Sequence, residues 1–342
     1  MLNRLLVIFS TALGLLVFLE LIFRVLPVST STETGYYLDA DILNYPAGHE
    51  WVMSTGWDLR NSQRLRANNL GFAAHRDFIA NSRAIALIGD SFVESSMLAE
   101  RERPGYQLES ALGGRPVYPM GGPGSSLLDY ANRIRFAKDR LQVRDMVVFL
   151  EPGDLRQAIC GSGNVHSACL APGTLAPREE RQLPASWLKR AFRHSAVAQY
   201  LASQLKVQPQ QALTALAKLS SSKATPRKGP SVLAPAEIQI VLKEFFGRLG
   251  SAQTYGRMLF VVDGQHDQSD PPLTLELQAE RVAFIEAARQ WGAVVLDAEE
   301  AYRRHRVASI RSVNVGPYDR HLNALGVRIL FGAVAGQLKD AP

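Results

Sequence analysis

The chain has 342 residues, 46% of them hydrophobic, which is ample for one large core and somewhat beyond the size at which domains begin to split. Its net charge is +6, and the basic residues are spread over many segments without a Lys/Arg run or interleaved aromatics. That pattern excludes a nucleic-acid-binding protein and leaves a mild attraction to anionic lipid or acidic polysaccharide.

The first element is an apolar span from Leu5 to about Leu26, preceded by Arg4. About twenty such residues cross a bilayer's hydrocarbon core. Glu20 and Arg24 interrupt it near its end, four apart on one helix face, where they pair or snorkel. After Leu26 the next Lys or Arg is Arg60, so the positive-inside rule puts the N-terminus in the cytoplasm and the rest outside. No convincing small-x-small site follows; Val28-Ser29-Thr30 is the nearest to one, so residues 1–27 read as an uncleaved anchor rather than a signal peptide.

Residues 28–80, with Tyr36, Tyr37, Tyr45, Trp51 and Trp57, read as short strands and loops packing beside the main sheet. Five strands are expected at 84–88, 116–119, 146–151, 257–263 and 293–297. Helical patterns alternate with them: the face of Leu127, Ala131 and Ile134, then 236–249, 275–290 and 323–338. This alternation predicts an α/β fold, a doubly wound parallel sheet, over residues 81–342.

The interval 155–235 is too long for an ordinary connection and is read as a helical insertion. It holds expected helices around Ser186–Leu205 and Gln210–Leu219, then a basic loop from Ser220 to Pro230. Because it follows the third strand, the insertion is expected over the sheet's carboxyl edge as a lid or cap; the other reading is a packing subdomain. It also contains both cysteines, Cys160 and Cys169. Outside the cytoplasm they are expected to form a local disulfide. Metal ligation with His166 is the rival, but two Cys and one His fall one ligand short of the usual structural zinc set. No metal and no cofactor are expected.

The chemistry is concentrated at two places. Ala84-Ile85-Ala86-Leu87-Ile88 is a buried-strand pattern that stops at Gly89-Asp90-Ser91, delivering a hydroxyl to the sheet's carboxyl edge, where open α/β sheets bind ligands. Near the other end, Asp319-x-His321-x-Asn323-x-x-Gly326 precedes an amphipathic helix with Val327, Leu330, Phe331, Val334 and Leu338 at helical spacing and Asn323 as its N-cap. A serine needs a base, and His321 has a carboxylate two residues away. Asp90 shapes the turn. Asp263-Gly264-Gln265-His266 also follows a strand, so His266 is the second candidate base.

Gly-Asp-Ser early and Asp-x-His late resemble the SGNH (GDSL) hydrolase family. Pro119-Met120-Gly121-Gly122-Pro123-Gly124 lies where that family's second block has Asn-x-Gly-x-x-Gly, and Asn69-Leu70-Gly71-Phe72 resembles a segment of its membrane-anchored members. The resemblance implies a flavodoxin-like strand order 2-1-3-4-5 and a Ser91–His321–Asp319 triad, with oxyanion donors from the backbone of Ser91 and Gly124. The family's third-block Asn is missing: Glu151-Pro152-Gly153-Asp154 places Gly153 at its position. The N–H of Gly153 or Asp154, or the guanidinium of Arg156, is the expected replacement. Loss of one oxyanion donor costs about 10²–10³ in rate.

The reaction class implied is acyl transfer through a serine ester. Anchor and domain together resemble members linked to exopolysaccharide production. The first expectation is therefore an esterase that removes acetyl or other short acyl groups from a periplasmic or other extracytoplasmic polysaccharide, held in the inner membrane by one helix. The alternatives are an O-acetyltransferase on the same polymer, or a weakened scaffold that binds glycan or an exopolysaccharide assembly protein. The expected partners are the acylated glycan and membrane lipid.

Overall fold

A computed structural model of the chain describes residues 2–162, 167–182, 184–205, 232–316 and 319–340. Helix α1 (Leu2–Val25) is followed by two antiparallel hairpins, β1–β2 (Gly35–Asp39, Ile42–Asn44) and β3–β4 (Glu50–Thr55, Arg60–Arg66). Strand β5 (Ile85–Gly89) leads into the one-turn helix α2 (Ser91–Glu94). Then come α3 (Pro104–Ala111), β6 (Val117–Gly121), α4 (Leu127–Leu141) and β7 (Asp145–Leu150). Short α5 (Asp154–Gln157), the hairpin β8–β9 (Ala168–Leu170, Pro177–Glu179), α6 (Trp187–Arg193) and α7 (Ala196–Gln199) follow. The last elements are α8 (Pro235–Leu249), β10 (Arg257–Val262), α9 (Leu275–Trp291), β11 (Val294–Asp297) and α10 (Ala298–Ala308). An antiparallel pair, β12 (Asn314–Gly316) and β13 (Asp319–Leu322), precedes α11 (Ala324–Asp340).

These elements form two compact units. One comprises Met1–Glu33, Glu50–Arg66 and Leu183–Pro226; the other comprises Thr34–His49, Ala67–Gln182 and Arg227–Pro342. The stretch 28–80, read from sequence as one extension, is therefore divided between them, and so is the insertion 155–235.

The larger unit is built on a five-stranded sheet in the order β11-β10-β7-β5-β6, every neighbouring pair parallel. Counted along the chain within the sheet this is 2-1-3-4-5, as the family resemblance implied. Side chains alternate between the two faces, and both faces are covered. Ala86, Ile88, Met146, Val148, Met258 and Phe260 join the core under α4, α8 and α9. Ile85, Leu87, Val147, Phe149, Leu259 and Val261 join the other, under α10 and α11. Each Val, Leu, Ile, Phe or Met among them, taken fully out of water, contributes about 1.5–3 kcal/mol. Strand limits differ from the sequence reading by a residue or two, the ordinary uncertainty of element ends.

Cys160 and Cys169 form a disulfide. Both sulfurs are consumed by that bond, so the thiolate ligands of the metal reading do not exist here; His166 lies outside the described residues. The loop is fastened in place by Ser167, whose N–H donates to Asp129 Oδ1 on α4 and whose hydroxyl donates to Asp41 O in the first hairpin. The expected helix at Gln210–Leu219 and the basic loop Ser220–Pro230 also lie outside the described residues. The single helix expected around Ser186–Leu205 is broken between α6 and α7, where Ser195 turns its hydroxyl to the N–H of Ala198 and caps a new helix.

In the smaller unit, α1 is exposed over most of its length, with Leu19, Glu20 and Phe23 partly covered. Among the described residues it is the one helix long and apolar enough to cross a membrane, with a mean hydropathy of 2.6 over its most apolar 18-residue window. Arg24 Nε donates to Glu20 Oε1 at 2.9 Å, the pairing expected from their spacing.

Candidate active site

Ser91 is placed by the sharp turn from β5 into α2. The helix starts one residue after the strand and packs close to its end: a Cβ on Gly89 would lie 2.6 Å from Val93 Cγ2, an approach that glycine permits. Asp90 is the N-cap, its Oδ1 accepting from the N–H of Phe92 at 2.8 Å. Its carboxyl is buried. Burial raises its pKa, the Phe92 N–H and His321 oppose the rise, and nearby Asp263 adds to it. Asp90 thus shapes the turn, as its sequence position suggested, and Ser91 becomes the first residue of the helix. Its N–H is left outside the intrahelical ladder.

Asp319 and His321 arrive on β13. His321 Nε2 lies 2.8 Å from Ser91 Oγ, and His321 Nδ1 lies 2.6 Å from Asp319 Oδ1. An ionised carboxylate only accepts, so Nδ1 carries the proton and Nε2 presents its lone pair to the serine hydroxyl. The side chains of His321 and Asp319 are 26% and 23% exposed, which leaves the serine approachable from solvent. The strand is held in place from its far end. Asn323 Oδ1 caps α11 by accepting from Leu325 and Gly326 N–H, while its Nδ2 donates to Ser312 O and Asn314 O. The glycine of the motif is also explained: a Cβ on Gly326 would meet Val313 O at 2.6 Å.

Phe92 was not singled out by the sequence reading, although it directly follows the serine. Its ring centroid lies 4.6 Å from that of His321 and 5.4 Å from that of Phe149, so it backs the imidazole against the core. Arg133 was missed for a better reason, since it lies on a helix that otherwise reads as amphipathic. It is buried, and its Nη1 donates to Gly89 O at the end of β5.

The strand ends carry a second unanticipated feature. Registers among β5, β7 and β10 bring the residues that follow them, Asp90, Glu151 and Asp263, to one edge. Burial first, then the neighbouring Asp90, pushes Glu151 up to about 8. Asp154 is buried beneath the same loop, accepting from the Glu151 N–H and the Tyr130 hydroxyl, and is also pushed up by burial and by Glu151. Each of these carboxylates ends or follows an apolar run, a signal that was available in the sequence.

Of the donors considered for the missing Asn, two are engaged elsewhere. Nε and Nη2 of Arg156 are held by Glu280, with Nη2 2.6 Å from Oε1, and the Asp154 N–H donates to Glu151 O. Gly153, at φ 115°, and Gly124, at φ 77°, occupy turns after β7 and β6, the two strands that flank β5.

His266 has a different place from the one considered for it. Asn314 Nδ2 donates to both oxygens of Asp270, which turns Asn314 Oδ1 toward His266 Nδ1 at 2.7 Å. His266 Nε2 lies 2.8 Å from Asp263 Oδ2. Both ring nitrogens therefore face acceptors, and the buried ring is an imidazolium. Burial opposes that charge, but Asp263, Asn314 and Asp270 outweigh it and raise the pKa to about 9. With neither nitrogen free to accept a proton, His266 does not serve as the base.

Comparison with known proteins adds nothing to the strand order. No protein-family model matches the chain, and no curated protein matches it. Among solved structures, an α/β hydrolase from the metagenome of Lake Arreo, Spain, aligns over 76% of this chain and 98% of its own, with 16% identity and a TM-score of 0.42. A lipolytic protein of the G-D-S-L family from Veillonella parvula aligns over 75% of this chain and 99% of its own, with 13% identity and a TM-score of 0.38. An acetyl xylan esterase from Geobacillus stearothermophilus aligns over 74% and 93%, with 10% identity and a TM-score of 0.39. The chain is similar to these proteins at a level that bears on fold alone, and its doubly wound α/β architecture rests on its own strand order.

Proposed function

We propose that this chain is an SGNH-type serine esterase that removes acetyl or other short acyl groups from an extracytoplasmic polysaccharide. The observation that carries the reading is the hydrogen-bonded series Asp319–His321–Ser91, at 2.6 Å and 2.8 Å. His321 Nε2 takes the hydroxyl proton as Ser91 Oγ attacks the ester carbonyl, and Asp319 stabilises the imidazolium that forms. Backbone N–H groups of Ser91, Gly124 and Gly153 stabilise the tetrahedral oxyanion. The imidazolium then protonates the departing sugar oxygen. Water, activated by the same nitrogen, releases the acyl group as a carboxylic acid and restores Ser91.

The polymeric substrate is supported by the exposure of His321, since an open nucleophile suits an acyl group carried on a chain too large to be enclosed. The Cys160–Cys169 disulfide supports an oxidising compartment. Arg4 ahead of the apolar span that begins at Leu5, and the lack of Lys or Arg from Pro27 to Leu59, support a single pass through the inner membrane with the catalytic unit outside the cytoplasm.

The test is covalent labelling of the detergent-purified full chain with a fluorophosphonate, read by intact mass beside Ser91→Ala. A single adduct on the parent, missing from the variant, is expected. A folded parent that takes no adduct refutes the activated serine. Release of free acetate from an acetylated glycan, rather than its transfer to a second sugar, then separates hydrolysis from transfer.

A further inference from the structure

The smaller unit contains a contact that the esterase reading does not use. Glu20, five residues before the end of α1, turns its carboxylate to the start of α7. It accepts from the Ser195 hydroxyl at 2.9 Å, the Ala196 N–H at 2.9 Å and the Val197 N–H at 3.1 Å. Arg24, paired with Glu20, also donates to His194 O at 3.2 Å. One turn on, the Phe23 and Tyr200 rings stack at 4.3 Å, and the Tyr200 hydroxyl donates to Trp57 O. The segment 187–204 is thus fastened to the last two turns of the apolar helix.

That attachment sets its depth. At 1.5 Å per residue, Glu20 lies about 8 Å below the end of α1, the boundary between hydrocarbon and headgroups if α1 spans the bilayer. The exposed side chains of this segment, and of Trp57 that it contacts, suit such a boundary. Trp187 is 73% exposed and Trp57 71%, with Phe192, Leu201 and Leu205 also exposed. Tryptophan is favoured at this boundary, where an amphipathic ring meets both phases. Charge agrees: residues 187–205 contain three cations, Lys189, Arg190 and Arg193, and no Asp or Glu, and Arg190 is exposed.

We infer that residues 187–205, with Trp57, form an interfacial anchor that lies at the boundary between hydrocarbon and headgroups of an anionic membrane beside α1. The apolar face is continuous with the spanning helix, and the unbroken excess of cations selects anionic lipid as its partner. This inference rests on the reading of α1 as a membrane span.

The test places the full chain in nanodiscs of mixed phosphatidylcholine and phosphatidylglycerol that carry a quenching lipid labelled either near the headgroup or at the chain terminus. Trp187's share of the emission is the difference between the parent and Trp187→Phe. Loss of most of that share with the shallow label, and little with the deep one, is the expected result. A chain that incorporates into discs while Trp187 stays unquenched by either label overturns the interfacial anchor and leaves the spanning helix standing. A chain that does not incorporate overturns both. Equal shallow quenching in discs of phosphatidylcholine alone overturns the choice of anionic lipid.

Discussion

Replacing His266 with glutamine isolates one charge in the network behind the candidate site. In the folded chain His266 is raised from 6.5 to about 9 by Asp263, Asn314 and Asp270, against burial. The folded state binds this proton more tightly than the unfolded state does. The stability it contributes is therefore complete below pH 6.5 and is lost as pH rises through 9. A rise of this size corresponds to about 3 kcal/mol. At neutral pH, His266→Gln also leaves the buried Asp263 carboxylate without its cation, and breaking a buried pair in this way costs about 3–5 kcal/mol. The gap in stability between parent and variant should then be largest near pH 6 and narrow by about 3 kcal/mol toward pH 10. At roughly 2 °C per kcal/mol for a chain this large, that is about 6 °C in thermal midpoint. The assay is thermal unfolding of both proteins in the same detergent at unit steps of pH. All other titrating groups are common to the pair, so a gap that stays constant across this range would refute the imidazolium assignment.

Two further outcomes follow from the geometry. Asp319→Asn removes the acceptor that holds the proton on His321 Nδ1, so kcat/KM toward a chromogenic acetate ester should fall by about 10⁴-fold while the fold is retained; a variant within tenfold of the parent would break the link between this pair and turnover. Cys160→Ala combined with Cys169→Ala opens a loop closed over nine residues, and loop entropy predicts a loss of about 2–3 kcal/mol in unfolding measurements. Adding reductant to the parent should give the same lowered midpoint, whereas no change in either experiment would show that this loop does not limit unfolding.

The fold was largely legible because its main signals are local. Five apolar runs separated by helical periodicity specify alternating strands and helices, and parallel sheets buried on both faces need such runs. Asn323 is readable as a cap because capping involves a side chain and backbone groups two or three residues away. The broken helix after Trp187 was less legible, since Ser195 can sit within a helix or end one. Here Glu20, 175 residues away in sequence, accepts its hydroxyl and favours the break.

The candidate site divides in the same way. Ser91, Asp319 and His321 could be named from short motifs, and the spacing of Asp319 and His321 already puts a carboxylate within reach of an imidazole. Composition and local order also determined the apolar N-terminal helix and the two cysteines close enough to pair. What the sequence could not assign was the use of groups whose partners are distant along the chain. His266 and His321 each follow a plausible context. Only the approach of Asn314 and Asp263 to one, and of Ser91 to the other, makes the first a buried cation and turns the second toward a hydroxyl. Glu151 and Arg133 read as ordinary polar residues until the sheet brings carboxylates together and Gly89 O to the guanidinium. Protonation state depends on burial and on neighbouring charge, and both are set by the packing of remote segments.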